Sequence, residues 1–182
     1  PLVKGGSAII LGGFGTGKGA FINGLLTRID HEGEYVVYTE LKNDTQEDYS
    51  AIKDIIRKTI KYSNKELIDK YSDQLSKIIP EIITKTKSDL FAVLEEEDEA
   101  YKMTYRLGNF ILEASLKWPF IIVIKGYDNI DIQSKRIINY IMGNQSKGKM
   151  YFIISFKEEI SQKDVFECFK PYISEAELDI IY

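Results

Sequence analysis

One cysteine, Cys168, and one histidine, His31, stand among 182 residues. With so few, an internal disulfide is excluded and no cysteine–histidine zinc cluster can form. A reducing, cytoplasmic setting is the expectation. Long hydrophobic runs are missing too. The longest, Phe120 to Ile124, falls far short of a bilayer span, and no signal peptide opens the chain, so no membrane partner is expected. Nor is there an excess of positive charge: 24 Lys and Arg against 28 Asp and Glu leave a net charge of -4. The lysines are dispersed among acids and build no basic stripe, which argues against nucleic acid as a direct ligand. Internal repeats, low-complexity linkers and coiled-coil heptads are absent as well. A composition of 44% hydrophobic and 29% charged residues suits one globular domain over residues 1–182. Because the chain starts at Pro1 without Met and ends on Ile181 and Tyr182, the expectation is a domain excised from a longer multidomain protein.

What is present centres on Ile9 to Phe21, IILGGFGTGKGAF. An apolar run, Ser7 to Leu11, leads into glycines at 12, 13, 15 and 17, then Lys18, then a helical pattern over Ala20 to Ile29. The pattern G-x-x-x-x-G-K is complete as Gly12, Gly17 and Lys18, in the strand–turn–helix context that a phosphate-binding loop needs. Glycine admits positive φ and brings backbone N–H groups close to an anion. The helix N-terminus adds partial positive charge, and Lys18 would reach the β- and γ-phosphates as a point charge. The candidate residues for holding ATP or ADP are Gly12, Gly13, Phe14, Gly15, Thr16, Gly17, Lys18, Gly19 and Ala20. Gly19 stands where a Ser or Thr hydroxyl would ligate Mg²⁺.

Further along, Phe21, Ile22, Leu25, Leu26 and Ile29 recur at helical spacing, and Glu34 to Leu41 is the second strand. His31, beside Asp30 and Glu32, reads as an exposed helix-end residue. From Gln46 to about Glu99 a helical insertion separates strands 2 and 3. Ile52, Ile55, Ile56 and Ile60 mark one helix; Leu67, Ile68, Tyr71, Leu75, Ile78 and Ile79 mark a second, ended by Pro80. The acidic run Glu95 to Glu99 reads as a solvated turn rather than a metal site, and Tyr101 to Lys117 as a third helix. Phe120 to Ile124 is a strand buried on both faces. A nucleotide hydrolase would end it in one or two Walker B acids; here the pair is Lys125 and Gly126. Asp128 reads as a turn residue and Asp131 as the cap of a helix over Ile132 to Met142, with a catalytic part as the weaker alternative for each. Met150 to Phe156 is another buried strand; Lys157 at its end reads as a solvated lysine, with a catalytic part facing a γ-phosphate as the weaker alternative. Val165 to Phe169 is expected as the last strand, and Ser174 with Glu177 as a capping box opening a terminal helix. The alternation gives an α/β fold whose mainly parallel sheet is covered on both faces. Its three uninterrupted apolar runs should be the inner strands, with Met150 to Ile154 in the middle.

The segments GGFGTGKGAFINGLL, EYVVYTELKND, the helical stretch closing in IIPEI, FIIVIKGYDNID and YFIISFKEEI resemble the STAND-type AAA ATPase module, a P-loop NTPase with an origin-recognition-like AAA domain. In bacteria it occurs in large multidomain signalling proteins, beside kinase, cyclase or transcription-regulator domains. The similarity spans nearly the whole chain. It implies a three-layer fold with a five-stranded sheet ordered 5-1-4-3-2, ATP with Mg²⁺, and a nucleotide-controlled switch. As partners it implies other domains of the same polypeptide and self-association. By the same resemblance, Lys18 matches the phosphate lysine and Lys157 falls near the position of a sensor arginine.

Three departures bear on chemistry: Gly19 for Ser or Thr, Lys125 and Gly126 for the acidic pair, and lysine for the arginine. Phosphoryl transfer relies on Mg²⁺ to neutralise developing charge and on an acid to hold the metal or orient water. No metal-binding residue is therefore assigned. The expected function is a nucleotide-binding regulatory module with slow or no hydrolysis. The alternatives are an ATPase in which Asp128, Asp131 or Glu40 supplies the missing acid, and a ligand-free interaction platform.

Overall fold

The computed structural model describes residues 7–10, 20, 23–24, 27, 35–41, 47–81, 96–156, 161–172 and 178–181. Among these, β1 (Ser7–Ile10), β2 (Tyr35–Glu40), β3 (Phe120–Lys125), β4 (Met150–Ser155) and β5 (Leu178–Ile181) form one sheet. Its order is β2-β3-β4-β1-β5, which counted from β5 is 5-1-4-3-2, and every pairing is parallel. Helices α1 (Ser50–Ile60), α2 (Lys65–Lys70), α3 (Ser72–Ile78) and α4 (Glu96–Lys117) intervene between β2 and β3. Helix α5 (Ile132–Met142) links β3 to β4, and α6 (Gln162–Phe169) follows β4.

Position in the sheet follows from side-chain polarity. All six residues of β4 are buried, as are the first five of β3, because apolar side chains on both faces need cover on both faces. On one face Phe120, Ile122, Ile124, Phe152 and Ile154 pack in a single cluster with Ile52 and Ile55 of α1, Leu107, Phe110 and Ile111 of α4, and Ile137 and Ile141 of α5. The alternate residues, Ile121, Val123, Tyr151 and Ile153, are buried on the other face. These runs place β3, β4 and β1 inside the sheet with β4 central, as their apolar character predicts. Strand β2 lies at an edge, and its polar breaks, Tyr38 and Glu40, suit that place.

Several elements differ from expectation. The second helix of the insertion divides at Tyr71, whose hydroxyl donates to Glu113 Oε1 of α4 at 2.7 Å while its ring meets Phe110 edge-on at 5.8 Å. That anchor turns the chain, so α3 begins at Ser72 and stops at Ile78, before Pro80. Helix α4 starts inside the acidic run rather than after it. Val165 to Phe169 is helical, not a strand. Ser161 Oγ donates to Asp164 Oδ2 at 2.5 Å and accepts from the Asp164 N–H at 3.2 Å, a reciprocal cap that opens α6. Val165 and Phe169, four apart on one helical face, are buried. The last strand is instead Leu178–Ile181 on β1, in place of the expected terminal helix; Ser174 and Glu177 lie outside the described residues.

Candidate functional site

Parallel strands end together, and in open α/β sheets ligands bind beyond the carboxyl ends. Here the register sets one row across that edge: Glu40, Lys125, Ser155, Ile10 and Ile181. In sequence the glycine-rich segment begins two residues after Ile10, at Gly12. Gly12, Gly13, Phe14, Gly15, Thr16, Gly17, Lys18 and Gly19 lie outside the described residues, as do His31 and Lys157. Ala20 is described and is helical and exposed, as are Asn23, Gly24 and Thr27. These four share one outward face at spacings of three and four, and Thr27 Oγ1 donates to the Asn23 carbonyl at 2.9 Å.

At the end of β3 the side chain in the row is a cation. Lys125 Nζ lies 2.9 Å from Glu40 Oε1 on β2, and the hydroxyl of Tyr38 donates to Glu40 Oε2 at 3.2 Å. Tyr38 and Glu40 share a face because side chains alternate along a strand. The hydrogen bond to Glu40 holds the Lys125 ammonium above the usual lysine value, overriding its partial burial. Burial first, and then the Glu40 charge, raise the Tyr38 phenol.

Gly126 leaves the strand at φ 77 and ψ 45, in the left-handed region that side chains disfavour. Its N–H donates to the Ser155 carbonyl at 2.8 Å, and a single 3₁₀ turn, Tyr127–Asn129, follows. That turn buries Tyr127 between Phe156 and Phe169, with ring centroids 5.7 and 5.4 Å away. Sequence reasoning missed this plug, although an aromatic after a glycine at a strand end was its signal. Where an acidic pair would stand, the chain thus places a neutralised lysine and a glycine that turns away.

Asp128 sits exposed on the turn, with Asn129 Nδ2 3.4 Å from its Oδ2. Asp131 caps α5, as expected, and does more. Its Oδ1 accepts from the N–H groups of Ser134 at 2.8 Å and Tyr49 at 2.9 Å; its Oδ2 accepts from Ser50 Oγ at 3.0 Å and the Ala51 N–H at 3.4 Å. A carboxylate offers about four acceptor sites. All are used, which leaves Asp131 no capacity for a metal or an attacking water. Burial pushes its carboxyl upward, but these hydrogen bonds prevail and hold it below the usual aspartate value. Beside it, buried Ser134 accepts from the Ile52 N–H at 3.1 Å. Among the described residues no group of three His, Cys, Asp or Glu is placed to hold a metal ion.

A cleft of about 640 Å³ opens between α4 and α5 and is lined by Tyr101, Thr104, Gln133, Arg136, Asn139, Tyr140 and Tyr172, with Ala100. Its wall is made by a close approach. A Cβ on Gly108 would lie 2.4 Å from the Tyr140 ring, and Asn109 Nδ2 donates to the Tyr140 hydroxyl at 3.1 Å. Gly108 inside a helical run was the sequence signal for this packing.

No family model and no curated protein matches the chain. Two solved structures are similar at a distance. A nucleotide-free ATP-binding cassette from an ABC transporter is 16% identical, with 100% of this chain and 78% of that one covered and a TM-score of 0.42. A KaiC-like protein from the archaeon Pyrococcus horikoshii OT3 is 12% identical, with 91% and 70% covered and a TM-score of 0.39. At such scores neither likeness assigns a ligand, and this chain's own residues carry the reading. No helix among the described residues is long and apolar enough to cross a membrane.

Proposed function

We propose that this chain is a nucleotide-binding module that holds the phosphates of ATP or ADP with Gly12 to Ala20 and Lys18, and hydrolyses ATP slowly or not at all. The observation that carries the reading is the row at the carboxyl edge of the sheet. Strand β1 ends in that row at Ile10, two residues before the G-x-x-x-x-G-K segment in sequence, and the residue at the end of β3 is Lys125, paired with Glu40. Backbone N–H groups and a lysine suffice to bind phosphate. Hydrolysis needs more: a metal to neutralise charge and an acid to hold it. The row offers Mg²⁺ one carboxylate, Glu40, and Lys125 and Tyr38 already engage it. Asp131, a second substitute, is spent on two helix caps.

The finer reading is a STAND-type AAA module serving as the regulatory switch of a cytoplasmic signalling protein, a single domain whose partners are other domains of the same polypeptide and further copies of itself. One observation favours a platform role as well: the cleft between α4 and α5 presents tyrosines and an arginine, residue types that concentrate binding energy at interfaces.

Calorimetric titration with ATP and with ADP, in Mg²⁺ and in EDTA, tests the proposal. Micromolar or weaker binding that persists in EDTA and disappears in Lys18→Ala is expected. Equal affinity in the wild type and Lys18→Ala would overturn the site, and robust Mg²⁺-dependent turnover lost in Lys18→Ala would overturn the claim of little hydrolysis.

A further inference from the structure

We infer that the edge of the sheet where the strands begin, opposite the row of Glu40 and Lys125, is a docking surface for an acidic polypeptide segment of a partner protein. Lysines that are dispersed along the sequence meet there. Parallel strands start together, and the register sets Tyr35, Phe120 and Met150 in one row at that edge. Lys117 and Trp118 lead into β3, and Lys147 and Lys149 lead into β4. The two approaches are seated against each other. The Lys149 N–H donates to Ser115 Oγ of α4 at 2.8 Å, and a Cβ on Gly148 would fall 2.7 Å from the same oxygen. Helix α1 ends beside them, at its C-cap Lys61, with Tyr62 next. The Tyr62 ring lies 4.5 Å from the Tyr35 ring, which meets Trp118 edge-on at 5.2 Å, so three aromatics join the ends of α1 and α4.

Lys61, Lys117, Lys147 and Lys149 are all exposed, and none pairs with a carboxylate among the described residues. Lys147 Nζ donates to the neutral Asn144 Oδ1 at 2.7 Å, and Lys117 Nζ lies 5.9 Å above the Trp118 ring. Lys61 and Lys117 complement the C-termini of α1 and α4. Lys147 and Lys149 lie in and just after a 3₁₀ turn, Gln145–Lys147, so helix dipoles do not account for the cluster. Ammonium groups gathered without counter-charge attract an anion locally, although the chain as a whole carries a net charge of -4. The aromatics decide which anion. Nucleic-acid bases need free ring faces on which to stack. Tyr35 and Tyr62 are half-buried against each other, and Trp118, 37% exposed, has Lys117 over its ring, so no such platform is offered. Trp118 and the 49% exposed Leu116 suit instead an apolar side chain carried between carboxylates.

Trp118 is the chain's single tryptophan, so its fluorescence reports on this surface directly. The test titrates the protein with a glutamate-rich peptide containing leucine, the same peptide with glutamine for glutamate, single-stranded oligothymidine, and phosphatidylserine vesicles. The acidic peptide should shift Trp118 emission and bind about tenfold more tightly than the glutamine peptide, with an affinity that falls as salt rises. Lys117→Glu and Lys149→Glu should each weaken it about tenfold. Lys135→Glu, which changes net charge equally but lies one turn into α5 from Asp131, should leave it within about twofold. Thermal unfolding checks each variant, and the salt and glutamine comparisons need only the wild type, so the question stays decidable if a variant fails to fold. No emission change with the acidic peptide, equal binding of the glutamine peptide, or an equal loss in Lys135→Glu would overturn the inference. So would tighter binding of oligothymidine or of the vesicles, or self-association of the wild type that Lys149→Glu abolishes, which would make the occupant a nucleic acid, a membrane or a second copy of this chain.

Discussion

Asp131 joins two helix N-termini that lie far apart in sequence, accepting from Ser134 three residues on and from Tyr49, 82 positions earlier. Tyr49 itself has φ 63 and no side-chain cap, so α1 depends on this distant carboxylate for its first N–H groups. Asp131→Ala should cost about 2–3 kcal/mol in urea unfolding, since it removes a cap and leaves charge-assisted bonds unmade at both helices. The pH dependence has a definite sign. Hydrogen bonds depress the folded pKa, so the contribution is complete above the unfolded value near pH 4 and is lost as pH falls through the folded value. The stability gap between wild type and Asp131→Asn should therefore narrow below about pH 4; a gap constant from pH 7 to pH 2 would refute the assignment. Gly126 carries a second prediction. Asp in its place meets a left-handed backbone and should destabilise by about 1–2 kcal/mol, with Asn there tolerated better. Restoring a Walker B pair at positions 125 and 126 thus works against the fold as well as changing the charge.

The pairing of α4 with α5 shows how two elements share one glycine. Gly108 costs helix α4 roughly 1 kcal/mol of propensity against Ala, yet its missing Cβ makes room for the Tyr140 ring. Gly108→Ala should destabilise the wild type, because Tyr140 must leave its seat and its hydrogen bond with Asn109. The same substitution in a Tyr140→Ala background should stabilise by up to about 1 kcal/mol. Chemical denaturation of the double-mutant cycle reads the sign change directly, and the same sign in both backgrounds would show that the ring is not seated on this glycine. At this scale the helices of the insertion were legible from period alone. Their division at Tyr71 was not, since it depends on Glu113 and Phe110 across the packing.

For the whole molecule, a ligand that binds only the folded state raises apparent stability by mass action. ADP at about 100 times its dissociation constant should add roughly 2.7 kcal/mol to wild-type unfolding in EDTA. Lys18→Ala should unfold like the wild type without nucleotide and should show no shift when ADP is added, because its expected role is in binding the phosphates. A shift of equal size in both proteins would place the nucleotide elsewhere.

By itself the sequence determined the inner strands and the family of chemistry worth testing. FIIVI and MYFII carry apolar or aromatic side chains at every position, and only a strand covered on both faces can bury them, so β3 and β4 were legible without coordinates. The glycines and Lys18 likewise state a phosphate-binding pattern in order and spacing, although those residues lie outside the described ones. Tertiary structure decided the rest. The short run Val165 to Phe169 fits a strand or a helix by periodicity, and the local cap of Ser161 and Asp164 with burial of Val165 and Phe169 on one face made it α6. Strand β5 exists through its pairing with β1. The partner of Lys125 was out of reach for a reading along the chain, because Glu40 comes beside it only when β2 and β3 pair in register, with 84 residues between them. Periodicity reports which face of an element is apolar; which charges meet at the edge of a sheet is set by strand order and register, and those are properties of the folded molecule.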